Sequence, residues 1–165
     1  MTSTEQRLQT LEDRQRIEEL RATYCFLVDD GRFDELVDRC FTDDARCDFR
    51  DARGAIAPLV STGRSEVHAF FSQVVASLLR DMSHTVHNHR IRIDGDTAEG
   101  DCYFELTAAS PGSDEAVVGA GRYVDRYRRV DGEWRFAERV AVIHHMAPLA
   151  EGWVRQRLLR ALTGA

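Results

Sequence analysis

The sequence predicts an α+β fold, a cone-shaped α+β barrel in which helices pack on one face of a strongly curved, mostly antiparallel sheet. Two observations predict it. Through roughly the first eighty residues, apolar side chains recur at helical spacing. After Met82 the pattern switches to alternation, in long runs separated by turn signals such as "VDGEW". Helices first and an antiparallel meander second leave an open end between the two layers, a natural pocket for a small apolar ligand.

The elements follow in order. Leu8, Leu11, Ile17, Leu20, Tyr24, Leu27 and Val28 form one apolar stripe of a first helix, and Gly31 stands where a helix C-terminus favours glycine. "RFDELVDRCF" reads as a short second helix and "DARCDFRD" as a short strand. Residues 52–63 hold two glycines and a proline and read as a loop. "SEVHAFFSQVVASLLR" reads as a third helix with Ser65 as N-cap. Four strands then run from "HTVHNHRIRID" to "EWRFAERVAVIHHM", with Asp131-Gly132 as the clearest hairpin turn. "EGWVRQRLLRAL" predicts a C-terminal helix over about 151–162, after a core of about 9–149. The whole chain, 165 residues, reads as one domain.

Composition excludes several classes of function. The net charge of −6 argues against nucleic acid. No apolar run approaches the ~20 residues that span a bilayer, and the polar start has no signal-peptide pattern. Cys25, Cys40, Cys47 and Cys102 are scattered without a C-x-x-C pair, which points to reduced thiols and a cytoplasmic location. All 22 basic residues are arginine, so a lysine Schiff base is impossible.

The stretches "YCFLVDDGRFDEL", "HTVHNHRIRI" and "GRYVDRYRRVDGEWRF" resemble the nuclear transport factor 2-like superfamily. Within it they are similar to the SnoaL-like branch, near scytalone dehydratase, bile-acid 7α-dehydratase and hexachlorocyclohexane dehydrochlorinase. The resemblance covers roughly Ile17 to Leu149. It implies a catalytic aspartate at Asp29, a catalytic histidine at His87 and an active-site tyrosine at Tyr24. It also places Arg139 near a functional arginine of the dehydrochlorinase. Other substrate-reading positions of these enzymes fall near Ala108, Gly121, Tyr123, Leu106 and Ile143, which do not match, so the substrate is expected to be less polar than scytalone or a bile acid, or oriented by other groups.

The chemistry of such a pair is coherent. A carboxylate on one ring nitrogen fixes the histidine tautomer, and the other nitrogen takes a proton from carbon. A tyrosine hydroxyl can stabilise the charge that builds on a substrate oxygen. The expected function is a cofactor-independent lyase or dehydratase acting on a small cyclic or polycyclic molecule. An isomerase or polyketide cyclase would use the same step, and a non-catalytic small-molecule-binding or association module would need no such pair. The expected substrate-binding residues are Arg139, His89, Phe104, Tyr123 and Phe49. Strict alternation puts His87 and His89 on one face, the way some metal sites begin. The resembling enzymes work without metal, so none is expected, and no cofactor. The implied partners are a small apolar or aromatic organic substrate and a second copy of the chain, as dimer or trimer. One geometric obstacle stands: Tyr24 and Asp29 lie about 140° apart around an ideal helix.

Overall fold

A computed structural model of the chain describes residues 3–151. Helix α1 (Thr4–Asp29) starts in a capping box, where the Ser3 hydroxyl accepts from the Gln6 amide and the Gln6 side chain from the Ser3 amide. It ends in a Schellman motif. Arg32 N–H bonds the Leu27 carbonyl and Gly31 N–H the Val28 carbonyl, with Gly31 at φ +68°. That ending leaves Asp29 in the last turn. Leu8 and Leu11, expected on the buried stripe, are exposed, and burial along α1 begins only at Asp13.

Helix α2 (Phe33–Cys40) leads into β1 (Phe41–Asp51), longer than the short strand expected. The supposed loop of residues 52–63 contains a strand, β2 (Leu59–Thr62), that pairs with β1. The third helix begins at Gly63, two residues before the expected cap Ser65. It is α3 (Gly63–Ala69), then a π-helical turn (Phe70–Val75), then α4 (Ala76–Leu78). Strands β3 (Arg80–Asp94), β4 (Thr97–Ala109), β5 (Ala116–Val130) and β6 (Glu133–Pro148) form the meander. Asp131 and Gly132 both take positive φ, as a type I′ hairpin turn demands. The C-terminal helix expected over about 151–162 lies outside the described residues, apart from Glu151 at the end of a 3-10 turn.

The six strands lie in the order β2-β1-β6-β5-β4-β3, antiparallel except for β1 against β6. Bulges interrupt the long strands, each bending its strand and curving the sheet. The architecture is the curved, mostly antiparallel α+β fold the sequence predicts. The core fills the concave side beneath the helices. At its centre Tyr24 meets the edges or faces of Phe41, Phe71, Tyr123 and Phe136, with centroids 5.8–6.1 Å away. Gly121 lies opposite Phe104 in the ladder because nothing larger fits: a Cβ there would stand 2.3 Å from the Val142 carbonyl oxygen and 2.7 Å from the Phe104 ring. No described helix is long and apolar enough to cross a membrane.

Candidate active site

Asp29 bonds His84. Its Oδ2 accepts the His84 backbone N–H at 2.8 Å, and its Oδ1 accepts the ring Nδ1. A carboxylate can only accept, so Nδ1 carries the proton and Nε2 is the basic nitrogen of the neutral ring. Asp30 is exposed, while Asp29 is partly buried.

The partner expected for Asp29 was His87, and the structure corrects this. Met82, His84 and Val86 alternate onto the concave face. Thr85 and His87 therefore point to the outer face. His87 is more than a third exposed there, 4.0 Å from Glu105 and beside the Tyr103 ring. At Asn88 the strand bulges. Its φ is +57°, and two residues of β3 stand opposite Cys102 alone. The bulge changes the parity, so His89 turns inward with Ile91 and Ile93. His87 and His89 thus lie on opposite faces, and the strand offers no His-x-His pair of metal ligands. Among the described residues no group of three or more His, Cys, Asp or Glu is arranged to hold a metal ion.

His84 lines a cavity of about 80 Å³ between the sheet and the helices. Its walls are overwhelmingly apolar. Val28 comes from α1, Ile56 and Leu59 from the segment before α3, Phe70, Phe71, Val74 and Val75 from the π-helical turn, and Leu106, Ile143 and Met146 from the sheet. The π-helical turn thus forms one wall; such turns are rare and frequent at functional sites. Phe49, Phe104 and Tyr123 line the cavity, and so does Tyr24. Phe104 stacks on Tyr123 at 4.4 Å, and Phe49 lies tilted against Phe70 at 4.5 Å. The obstacle of 140° dissolves because the two side chains need not converge: Tyr24 lines the cavity while Asp29 bonds His84.

Burial pushes the Tyr24 and Tyr123 hydroxyls well above the ordinary tyrosine range, and the two share a hydrogen bond. Both therefore remain protonated at neutral pH, and their mutual bond leaves one hydroxyl proton of the pair free to donate elsewhere. Arg50 also borders the cavity, but its guanidinium is held by Asp48 at 2.6 and 2.8 Å.

Two expected substrate-binding residues lie outside the cavity wall. His89 accepts Arg21 Nη1 on Nδ1 at 2.8 Å, farther along β3. Arg139 is wholly buried behind the aromatic floor and paired with Asp125. His84 was the residue sequence reasoning passed over. The signal was present: in "MSHTV" it stands between two apolar residues at period two, which puts it on their side of the strand.

An apolar hollow inside a curved sheet, with one carboxylate-oriented histidine at its edge, is the arrangement of a small-molecule site. Residues 9–140 match the family profile of the SnoaL-like domain, and the chain belongs to that family. Among its relatives, the uncharacterized protein Rv2910c of Mycobacterium tuberculosis is 34% identical over 134 residues, 79% of this chain and 84% of the relative. Among solved structures, LinA superposes with a TM-score of 0.76 at 23% identity, covering 87% of this chain and 93% of LinA. The hexachlorocyclohexane dehydrochlorinase LinA-type3 of Novosphingobium barchaimii gives 0.74 at 22%, covering 87% and 94%. At these identities the likeness carries the fold.

Proposed function

We propose that this protein is a cofactor-independent lyase for a small, largely apolar cyclic molecule, with His84 as the base. The observation that carries this reading is the two-point grip of Asp29 on His84 at the edge of an apolar cavity. His84 Nε2 removes a proton from substrate carbon. The C–H electron pair becomes a double bond, the leaving group departs with its bonding pair, and the proton on His84 passes to it or to water. Asp29 keeps the ring in the right tautomer and stabilises the imidazolium. The hydroxyl proton left free by the Tyr24–Tyr123 hydrogen bond donates to a substrate oxygen or departing group where negative charge builds. Nothing in this sequence of steps calls for a metal or cofactor. A base of this kind contributes on the order of 10²–10⁴-fold. We further infer self-association through the outer sheet face, where Tyr103 and Val124 remain exposed; light scattering on the purified protein tests it, and a monomer at all concentrations excludes it.

The test incubates the protein in heavy water with cyclic ketones and with hydroxylated or chlorinated cyclic compounds. Mass spectrometry follows deuterium uptake and loss of water or hydrogen chloride. The lyase reading expects elimination by the wild type, abolished in His84→Gln. Deuterium uptake without elimination points to an isomerase or cyclase instead. Binding with neither reaction reduces the chain to a binding module.

A further inference from the structure

Arg139 is among the largest fully buried side chains of the protein. Its guanidinium carbon lies over three rings at once, 4.0 Å from the centroid of Tyr24, 4.1 Å from that of Tyr123 and 3.8 Å from that of Phe136. Asp125 holds it in place by two bonds, Nε to Oδ1 at 2.9 Å and Nη2 to Oδ2 at 3.0 Å. The same carboxylate accepts the Tyr127 hydroxyl at 2.7 Å, and Arg21, also fully buried, donates Nε to that hydroxyl at 2.7 Å. Two guanidiniums thus share one carboxylate in the interior. The nearby thiols of Cys25, Cys40 and Cys47 add no charge, because burial pushes each up to about 12.

A core built only for stability does not need this charge; replacing buried ion pairs by apolar residues is often neutral or stabilising. What distinguishes Arg139 is the position of the rings above it. Tyr24 and Tyr123 have the cation against their rings and also line the cavity. We propose that Arg139 is a positioning residue for the pocket, its charge under the rings of Tyr24 and Tyr123 making this hydrogen-bonded hydroxyl pair a stronger donor to an oxygen bound in the cavity. A cation held at a ring face attracts the π-electrons, and in the buried interior that pull is little screened. Arg139 reaches no substrate itself. Its opposition to the effect of burial has the right sign: it favours the ionised form of both tyrosines. The inference rests on the reading of this hydroxyl pair as a donor in the proposed function.

Its test needs no substrate. Difluorotyrosine replaces the four tyrosines of the chain, and fluorine NMR follows the ionisation of each. In Arg139→Gln with Asp125→Asn, both members of that pair lose their charge, while Arg21 keeps its bonds to the Tyr127 hydroxyl and to His89. Tyr24 and Tyr123 are expected to become about tenfold less acidic, one pH unit on the titration. In Asp125→Asn alone the cation stays and its counter-charge is lost, so both should become more acidic. Tyr103, exposed on the outer face, should not move in either. Unchanged Tyr24 and Tyr123 in the folded double variant, or shifts of the same sign in both variants, overturn the proposal. If the double variant does not fold, Asp125→Asn alone decides, and no gain in acidity overturns it. Such a failure leaves His84 as base untouched, just as an inactive His84 would leave these titrations standing.

Discussion

Asp29 and His84, 55 positions apart in the chain, are joined at two points: backbone N–H to Oδ2 at 2.8 Å, and ring Nδ1 to Oδ1. The backbone contact fixes where the carboxylate sits, and the ring contact fixes which nitrogen is free. A Schellman turn at one end and a strand alternating Met82, His84, Val86 at the other bring them together.

Asp29→Asn tests the orienting role. An asparagine amide can donate to Nδ1, which would move the ring proton to Nε2 and remove the base. Turnover is expected to fall on the order of 10²–10⁴-fold. Nitrogen NMR of His84 should show the tautomer change, and an unchanged tautomer would contradict the assigned role.

His87→Ala separates the two neighbouring histidines. His87 lies on the outer face and outside the cavity wall, so the variant should keep activity within about twofold and stability within about 0.5 kcal/mol. A large loss of turnover in His87→Ala, with His84→Ala active, would return the base to position 87.

Gly121→Ala probes the floor of the cavity. The added carbon meets the Val142 carbonyl and the Phe104 ring, and Phe104 is a wall of the site. Overpacking of this kind destabilises by about 1–3 kcal/mol, a Tm drop of several degrees. The displaced ring should also weaken ligand binding; a Tm equal to that of the wild type would mean that the sheet yields without strain.

His89 contributes to the pH dependence of stability. Its Nδ1 accepts from Arg21, which only the neutral ring can do. Burial first, and the Arg21 charge second, hold it below its ordinary 6.5. A base with a depressed folded pKa stabilises the fold above its unfolded value, and that contribution is lost as pH falls from about 6.5 toward the folded value. His145, lowered by burial and by His144, acts in the same direction. Urea midpoints should therefore fall on acidification below about pH 6.5, and less steeply in His89→Gln. Equal slopes in the two proteins would remove His89 from this account.

The sequence by itself determined the fold class, because helical and alternating periodicities survive any neighbour. The resemblance of "YCFLVDDGRFDEL" pointed to Asp29 and Tyr24, and the structure places Asp29 on His84 and Tyr24, Phe49, Phe104 and Tyr123 in the cavity wall. Only the tertiary structure decided which histidine Asp29 holds. His84 and His87 lie on opposite sides of β3 by ordinary alternation, the end of α1 reaches only the inner one, and the bulge at Asn88 then turns His89 inward as well. Arg139 was likewise decided in three dimensions. Nothing in one strand shows that Asp125 of the next will neutralise it, or that two tyrosines from different elements will close over it and keep it from the cavity.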